Sequence, residues 1–392
     1  MLGILSIACL VVTIQALPTD VGSNKLYNIH EKIIEEGYPV ETHDVVTEDG
    51  YILELIRIPY GKKGKDAIVR PPVLLMHGLS DSAAAYISLG PDSLAYNLVE
   101  EGADVWLGNA RGVANSRRHI KLNPDDEKEK FEFFDFTFEE IGMIDLPAMI
   151  DYILEKTGEK QVHYVGHSQG GTVFLILNSM RPEYNDKISS AHLLAGVGYQ
   201  NHFPSSELRI AAISTDLLYS LGVSLGFVEV LGPNWGNQIT ELQTLNACAS
   251  TEDDGGVCSR SSLDDIIKDI LNPSELLPGS ALKQFAHYGQ NIRDKKFRRW
   301  SYGLIRNLSK YGSITPPEYD LSKITVDITM HYTVNDMLLD EQDVLEMAAV
   351  IPNASVRRIP RETFTHTDFV TAEDAKELVV DYIVNSLSAF VR

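Results

Sequence analysis

The sequence predicts an α/β fold with a mostly parallel central sheet, helices on both faces and an inserted, largely helical cap. Segments of strand character and helix character alternate along most of the 392 residues, which is typical of a parallel sheet covered on both sides. The exception is 199–316, which has much apolar surface but no clear strand. We therefore expect the sheet domain to comprise 17–198 and 317–392, with the cap inserted between them.

The individual elements follow from residue patterns along the chain. Residues 43–60 alternate around Glu48-Asp49-Gly50, which predicts a two-stranded hairpin. A helix is predicted from Asp145, as its N-cap, to Lys156, with Pro147 in the first turn. Further strands are predicted at 71–79, 104–107, 192–197, 326–332 and 355–359, and further helices in the stretch before 102 and at 372–389.

The most informative segment is 162–171, where a short apolar run leads directly into Gly166-His167-Ser168-Gln169-Gly170 and a helix-compatible stretch. A Gly-x-Ser-x-Gly sequence between a strand and a helix is the nucleophile elbow. The turn is so tight that side chains two places from the serine would collide, so glycines occupy those positions. Ser168 is thus the predicted nucleophile, although the same pentapeptide also occurs by chance.

A nucleophilic serine needs a histidine to accept its proton, and that histidine needs a carboxylate to orient it. His366 follows the last predicted strand, at the same sheet edge as Ser168, and is the predicted base. Asp336 follows the preceding strand and is the predicted acid, with Asp340 as its rival and a structural turn aspartate as the alternative. The other histidines after Ser168 lie in predicted strands or in the predicted cap: His192, His331, His202 and His287.

Two backbone amides are predicted to form an oxyanion hole for the negative oxygen that forms when a serine attacks an ester. One belongs to Gln169, the residue after the nucleophile. The other is expected in the turn His77-Gly78-Leu79 after an early strand, and Leu79 is our choice because His-Gly must turn before an amide can point inward.

The N-terminal segment and the net charge indicate where the protein is located and which partners are disfavoured. Residues 1–16 are uncharged and largely apolar, which predicts a secretory signal peptide, with a buried strand as the alternative. No other stretch reaches the roughly 18 apolar residues of a transmembrane helix. The net charge of −21 disfavours nucleic-acid partners. We therefore expect a soluble mature protein in the extracellular space or the lysosomal lumen.

Three other sequence features are typical of a secreted chain. Cys248 and Cys258 flank a Gly-rich stretch and are predicted to form a disulfide, with two free thiols as the alternative. Asn307 and Asn353 begin glycosylation sequons. The residues indicate no metal site, because clustered histidines are missing around the cysteines.

Taken together, the motifs resemble those of the acid lipases, the family of gastric and lysosomal acid lipases with insect digestive relatives. The resemblance covers nearly the whole mature chain and is strongest at 163–170. The other matching segments are 37–39, 46–53, 77–79, 105–109, 111–112, 145–148, 335–336 and 366–369. The chain departs from the family pattern at Asn115, Ile144 and 194–198, and it lacks a third cysteine of many relatives, which favours pairing of the remaining two.

The resemblance implies an α/β-hydrolase fold and hydrolysis of triacylglycerol or cholesteryl esters at a lipid–water interface, often at acid pH, beneath a cap with a movable lid. It implies no metal and no organic cofactor. Two other functions remain open: a carboxylesterase for small soluble esters, and a lipid-carrying or storage protein without turnover. The sequence determines neither the acyl-chain preference nor the oligomeric state.

Overall fold

The computed structural model describes residues 28–64, 70–233 and 278–388. The predicted signal peptide at 1–16, the cysteines Cys248 and Cys258, and the middle of the predicted cap lie outside these ranges.

The centre of the fold is an eight-stranded sheet with the strand order β1-β2-β4-β3-β5-β6-β9-β10. The pairings β1–β2 and β2–β4 are antiparallel, and all others are parallel, so the predicted mostly parallel sheet is confirmed. Its strands are β1 (Glu41–Val46), β2 (Ile52–Ile58), β3 (Pro72–Met76), β4 (Asp104–Gly108), β5 (Val162–His167), β6 (Ile188–Leu194), β9 (Ile328–Tyr332) and β10 (Ala354–Arg358). The predicted hairpin is β1–β2, whereas β6 begins four residues earlier than the apolar pattern indicated.

Helices connect these strands, and several of them pack against the sheet. In chain order they are α1 (Ile29–Glu35), α2 (Leu94–Glu100), α3 (Glu129–Phe133), α4 (Phe138–Glu140), α5 (Leu146–Thr157), α6 (Gln169–Met180), α7 (Ser206–Ile213), α8 (Thr215–Ser224), α9 (Leu282–Asp294), α10 (Leu304–Tyr311), α11 (Glu341–Val350), α12 (Asp368–Thr371) and α13 (Asp381–Ser388). Within the described ranges, no helix combines the length and apolar character that a membrane crossing requires.

The predicted start of the helix before β5 is wrong. The helix begins at Thr137, which forms a capping box with Glu140, and continues through a π-helical turn (Ile141–Asp145) into α5. Asp145 has helical backbone angles and caps nothing with its side chain. Its carboxylate instead accepts three hydrogen bonds from the buried Arg111, so a long-range ion pair rather than a local cap explains this aspartate.

The described parts of 199–316 contain α7 to α10 and a two-residue antiparallel ladder, β7 (Glu229–Val230) with β8 (Ser280–Ala281). Strands this short leave no alternating pattern, which explains why none was expected there. α9 packs against both α7 and α8. The boundaries of the predicted cap remain a prediction.

Candidate active site

Ser168 lies between β5 and α6 with φ 49° and ψ −111°, an unusual conformation for a residue other than glycine. The neighbouring glycines make the turn sterically feasible. A Cβ on Gly166 would lie 2.5 Å from the carbonyl carbon of Gly170, and a Cβ on Gly170 would overlap the backbone oxygen of Met76. The predicted collision across the turn is therefore visible for Gly166, whereas Gly170 is required because the end of β3 passes close to its Cα.

The structure brings Ser168, His366 and Asp336 together at the carboxyl edge of the parallel strands. Nε2 of His366 lies 2.8 Å from Oγ of Ser168, and Nδ1 of His366 lies 2.7 Å from Oδ2 of Asp336. His366 and Asp336 are buried, whereas Ser168 is partly exposed. The alternative candidate, Asp340, has a different role: its carboxylate caps α11 by accepting the Gln342 amide.

The hydrogen bonds of Asp336 determine which ring nitrogen of His366 donates and which accepts a proton. Oδ1 of Asp336 accepts the amides of Leu338 and Leu339 at 2.7 and 3.0 Å, which fixes the carboxylate plane. Because a carboxylate accepts hydrogen bonds, His366 carries its proton on Nδ1. Nε2 is then free to accept the hydroxyl proton of Ser168. This arrangement suits general-base activation of the serine.

The turn containing Leu79 lies next to the serine. A Cβ on Gly78 would be 3.2 Å from Cβ of Ser168, which is tighter than an ordinary van der Waals contact, so the glycine eases the close approach of this backbone. Among the residues described, neither the Leu79 amide nor the Gln169 amide donates to a protein acceptor. Their assignment as oxyanion donors stays a prediction.

His77 holds this turn in place, a role that the sequence reasoning missed. Its Nε2 accepts the Ala110 amide at 3.1 Å, so its Nδ1 carries the proton and donates to the Gly78 carbonyl at 2.7 Å. Burial lowers the pKa of His77 to about 4, which keeps the ring neutral. The Gly78 carbonyl and the Leu79 amide belong to one planar peptide unit, so this bond also orients the Leu79 N–H.

His167 supports the other side of the site and was also missed. Its Nε2 donates to the backbone oxygen of His366 at 2.9 Å, while its backbone amide donates to the hydroxyl of Tyr86. Burial, with the neighbouring His366, lowers the pKa of His167 to about 3. The only signal in the sequence was its position inside the elbow motif.

Three other histidines make contacts that do not involve Ser168. His192 and His331 lie in neighbouring strands, as predicted, and their ring nitrogens are 3.0 Å apart. His202, Asp343 and Glu346 form a group whose geometry could hold a metal ion. However, His202 already bonds Glu346, and Asp343 accepts the backbone amides of Asn201 and His202. None of these contacts reaches Ser168.

The two sequons differ in their surroundings. Asn307 is only 1% exposed, and its amide nitrogen donates to Ser301 Oγ and to the backbone oxygen of Ile314. In this conformation the amide nitrogen of Asn307 is fully engaged in hydrogen bonds, and glycosylation of this residue stays a prediction. Asn353 is exposed, and its modification stays a prediction.

Comparison with known proteins identifies the family. A family profile described as "alpha/beta hydrolase fold" matches residues 71–364, and one described as "Partial alpha/beta-hydrolase lipase region" matches residues 29–90. The chain is 36% identical to Lipase 3 of Drosophila melanogaster over 94% of this chain and 95% of that protein. It is 35% identical to gastric triacylglycerol lipase of Rattus norvegicus, covering 92% of this chain and 91% of that protein.

The chain belongs to the α/β-hydrolase lipases. The similarity to the acid lipases that the motifs indicated is confirmed, and so is the α/β-hydrolase fold. Among solved structures, that of DcsB in complex with its substrate analogue matches with a TM-score of 0.54 at 12% identity, over 90% of this chain and 98% of that one. At this identity the match supports the fold alone.

Proposed function

We propose that this α/β-hydrolase lipase hydrolyses the carboxylic esters of neutral lipids, triacylglycerol or cholesteryl ester, through an acyl-enzyme intermediate. The observation that carries the proposal is the unbroken hydrogen-bond chain from the Ser168 hydroxyl through His366 to Asp336. A serine activated in this way attacks ester carbonyls.

In the proposed reaction, Oγ of Ser168 attacks the ester carbonyl carbon while Nε2 of His366 takes the hydroxyl proton. Asp336 stabilises the resulting imidazolium and keeps its orientation. Collapse of the tetrahedral intermediate breaks the bond to the alcohol, which leaves with the proton from His366. Water, deprotonated by the same histidine, then releases the fatty acid and restores the serine.

The amides of Leu79 and Gln169 are the proposed donors to the oxyanion of both tetrahedral intermediates. The N-terminus of α6 adds its partial positive charge at the same position. Loss of one such donor costs about 3 kcal/mol of transition-state stabilisation in acyl-transfer enzymes. The close approach of Gly78 to Ser168 supports this assignment.

A lipid substrate is supported by the relatives, which include gastric triacylglycerol lipases at 35% identity over 92% of this chain. The described part of the predicted cap also exposes large apolar side chains on α7 and α8: Ile210, Ile213 and Leu217. We propose a location outside the cell or in the lysosomal lumen, with removal of residues 1–16. N-terminal sequencing of the mature protein, expected to begin at Leu17, tests this processing.

The decisive variant is Ser168→Ala, assayed on an emulsified triacylglycerol and on a soluble ester. We expect the rate to fall at least about a thousandfold with unchanged thermal unfolding, because the nucleophile is lost while the fold is kept. A fluorophosphonate probe should label the wild type and not the variant. Full retained activity would remove Ser168 from the proposed mechanism, and an unlabelled wild type would favour a lipid carrier.

A second assay separates a lipase from an esterase. Rates on tri-, di- and phospholipid esters and sterol esters are compared between pH 4 and 8, the range in which an ordinary histidine changes charge. A lipase is expected to gain activity when its substrate exceeds the solubility limit. Equal or lower rates on emulsions than on dissolved esters would identify a carboxylesterase instead.

A further inference from the structure

Helix α10 and the turn after it carry a group of exposed apolar side chains, here called the α10 face: Leu304, Ile305, Leu308 and Ile314. Their exposed fractions are 68%, 87%, 56% and 56%. Leu304, Ile305 and Leu308 share one side of the helix, because residues three or four apart are neighbours on a helical surface. Single exposed apolar residues are ordinary, but a cluster of four marks an interaction surface.

The helix is oriented against its own amphipathic pattern. A surface helix normally packs its apolar side on the core, yet the buried residue of α10 is Asn307. The Asn307 side chain accepts the Tyr302 amide and donates to Ser301 and to the backbone of Ile314. These polar contacts hold the helix so that its apolar side faces outward. Packing of the described fold therefore does not explain the leucines and isoleucines.

The same segment is basic in an otherwise acidic protein. Residues 295–317 contain six lysines and arginines and no aspartate or glutamate, whereas the whole chain has a net charge of −21. Three of these cations pair with carboxylates, two of which directly border the segment: Lys296 with Glu318, Arg298 with Asp294, and Arg299 with Glu139. Arg306 and Lys310 lie on α10 itself, both exposed, and Lys310 packs over the ring of Tyr302. The helix thus carries apolar side chains on one side and positive charge on the other.

A chain of contacts connects this segment to the helix that follows Ser168. The Gln290 side chain of α9 hydrogen-bonds both backbone groups of Ser301, just before α10. In the same helix, the hydroxyl of Tyr288 lies 2.8 Å from that of Thr172 in α6. The position of α10 relative to the serine is therefore held by side-chain contacts through α9.

We propose that the α10 face docks the protein on a neutral-lipid surface that carries ionised fatty acids. The apolar side chains would enter the acyl region while Arg306 and Lys310 meet the carboxylates, the arrangement by which basic amphipathic helices bind anionic lipid. The choice of fatty acid rests on the proposed function, because ester hydrolysis releases carboxylates at the surface being digested. Product would then strengthen the attachment of the enzyme to its own substrate particle.

Flotation with phosphatidylcholine vesicles, with and without oleate, at a pH where oleate is ionised, tests this docking. The double variant Leu304→Asn/Ile305→Asn should bind oleate vesicles at least about tenfold more weakly, because two apolar side chains no longer leave water. Arg306→Gln should weaken binding about fivefold on oleate vesicles and leave binding to neutral vesicles unchanged. Ile34→Asn is the matched control, since Ile34 on α1 is 61% exposed.

The kinetic readout separates docking from catalysis. Hydrolysis of a dissolved short-chain ester should be unchanged in the double variant, whereas hydrolysis of an emulsion should fall in parallel with vesicle binding. Leu308→Asn provides an independent variant if the double variant lowers the melting temperature. If the wild type binds oleate vesicles through this face but hydrolyses no ester, the docking stands and the proposed function fails.

Three results would overturn the docking proposal. In the first, the double variant and Leu308→Asn bind oleate vesicles as tightly as the wild type does. In the second, oleate fails to increase binding while phosphatidylserine does, which would replace fatty acid by an anionic membrane. In the third, light scattering shows a wild-type dimer that the double variant dissociates with vesicle binding intact, which would make the α10 face a contact between two copies.

Discussion

Replacing His77 tests how the proposed oxyanion hole is held in place. Its Nδ1 donates to the Gly78 carbonyl at 2.7 Å while its Nε2 accepts the Ala110 amide at 3.1 Å. In His77→Leu both bonds are lost, and the peptide unit that contains the Leu79 N–H can rotate. His77 is a positioning residue in this scheme, because its ring contacts backbone rather than substrate.

The expected size of the effect follows from these two bonds. Complete loss of an oxyanion donor costs about 3 kcal/mol, or roughly a hundredfold in kcat. Loss of one neutral hydrogen bond that orients the donor costs about 1 kcal/mol. We therefore expect kcat to fall about tenfold, between these limits, with little change in KM. The buried Ala110 amide loses its partner as well, which should lower stability by about 1–3 kcal/mol.

The assay is steady-state hydrolysis of a soluble ester together with urea unfolding. His163→Gln is the matched control: His163 is a buried neutral histidine whose pKa is also lowered to about 4 by burial, but it bonds Ser190 rather than the turn. The control should lose stability and keep its kcat. A His77→Leu protein that is folded and retains wild-type kcat would refute the proposed coupling between the ring and the Leu79 amide.

Three further perturbations address the triad, the elbow and the pH dependence of stability. Asp336→Asn should lower kcat on a soluble ester by about a thousandfold or more, because an amide no longer selects the Nδ1–H tautomer; a loss below tenfold would contradict this role. Gly170→Ala should destabilise the protein by about 3 kcal/mol or more in urea unfolding, because the new Cβ overlaps the Met76 oxygen. The control Gly303→Ala, with φ 87° and open space around it, should cost only about 1 kcal/mol, and equal losses would disprove the steric argument. Burial lowers the pKa of His192 from 6.5 to about 4, so between those values the unfolded chain binds a proton that the folded chain does not. Stability should therefore fall as the pH drops through this window, by up to about 3 kcal/mol from this residue. His192→Gln should flatten the dependence in urea titrations, and an unchanged slope would exclude this residue as a cause.

The elbow and the triad were predictable because their constraints are local or topological. Gly166 is required because its Cβ would collide with Gly170 in the same turn, so its reason is contained in the motif, whereas the contact of Gly170 with Met76 became visible only in the fold. The loops after β9 and β10 had to reach the edge that holds Ser168, because carboxyl ends of parallel strands share one edge. Asp336 and His366 could thus be selected from their positions after strands, without knowledge of any contact.

The start of the helix before β5 was not predictable by the same reasoning. Asp145 followed by proline is a good local N-cap signal, but Arg111 is 34 residues away in sequence and binds the carboxylate at 2.7 Å. Asn307 is a similar case, since its tripeptide reads as an exposed sequon although three hydrogen bonds hold it inside the fold. In both cases the side chain makes tertiary hydrogen bonds that the neighbouring residues in the sequence do not indicate.

The sequence by itself determined the order of strands and helices, the strained position of Ser168 and the identity of the histidine and aspartate that meet it. These properties depend on residue periodicity, on turn geometry and on the shared carboxyl edge of parallel strands, none of which requires knowledge of a side-chain contact. Only the tertiary structure decided that His77 and His167 hydrogen-bond the backbone around the site. It also decided that Arg111 binds the Asp145 carboxylate and that the apolar side of α10 is exposed. Each of these depends on which distant groups become buried together, because burial changes both the pKa of a side chain and its need for a hydrogen-bond partner.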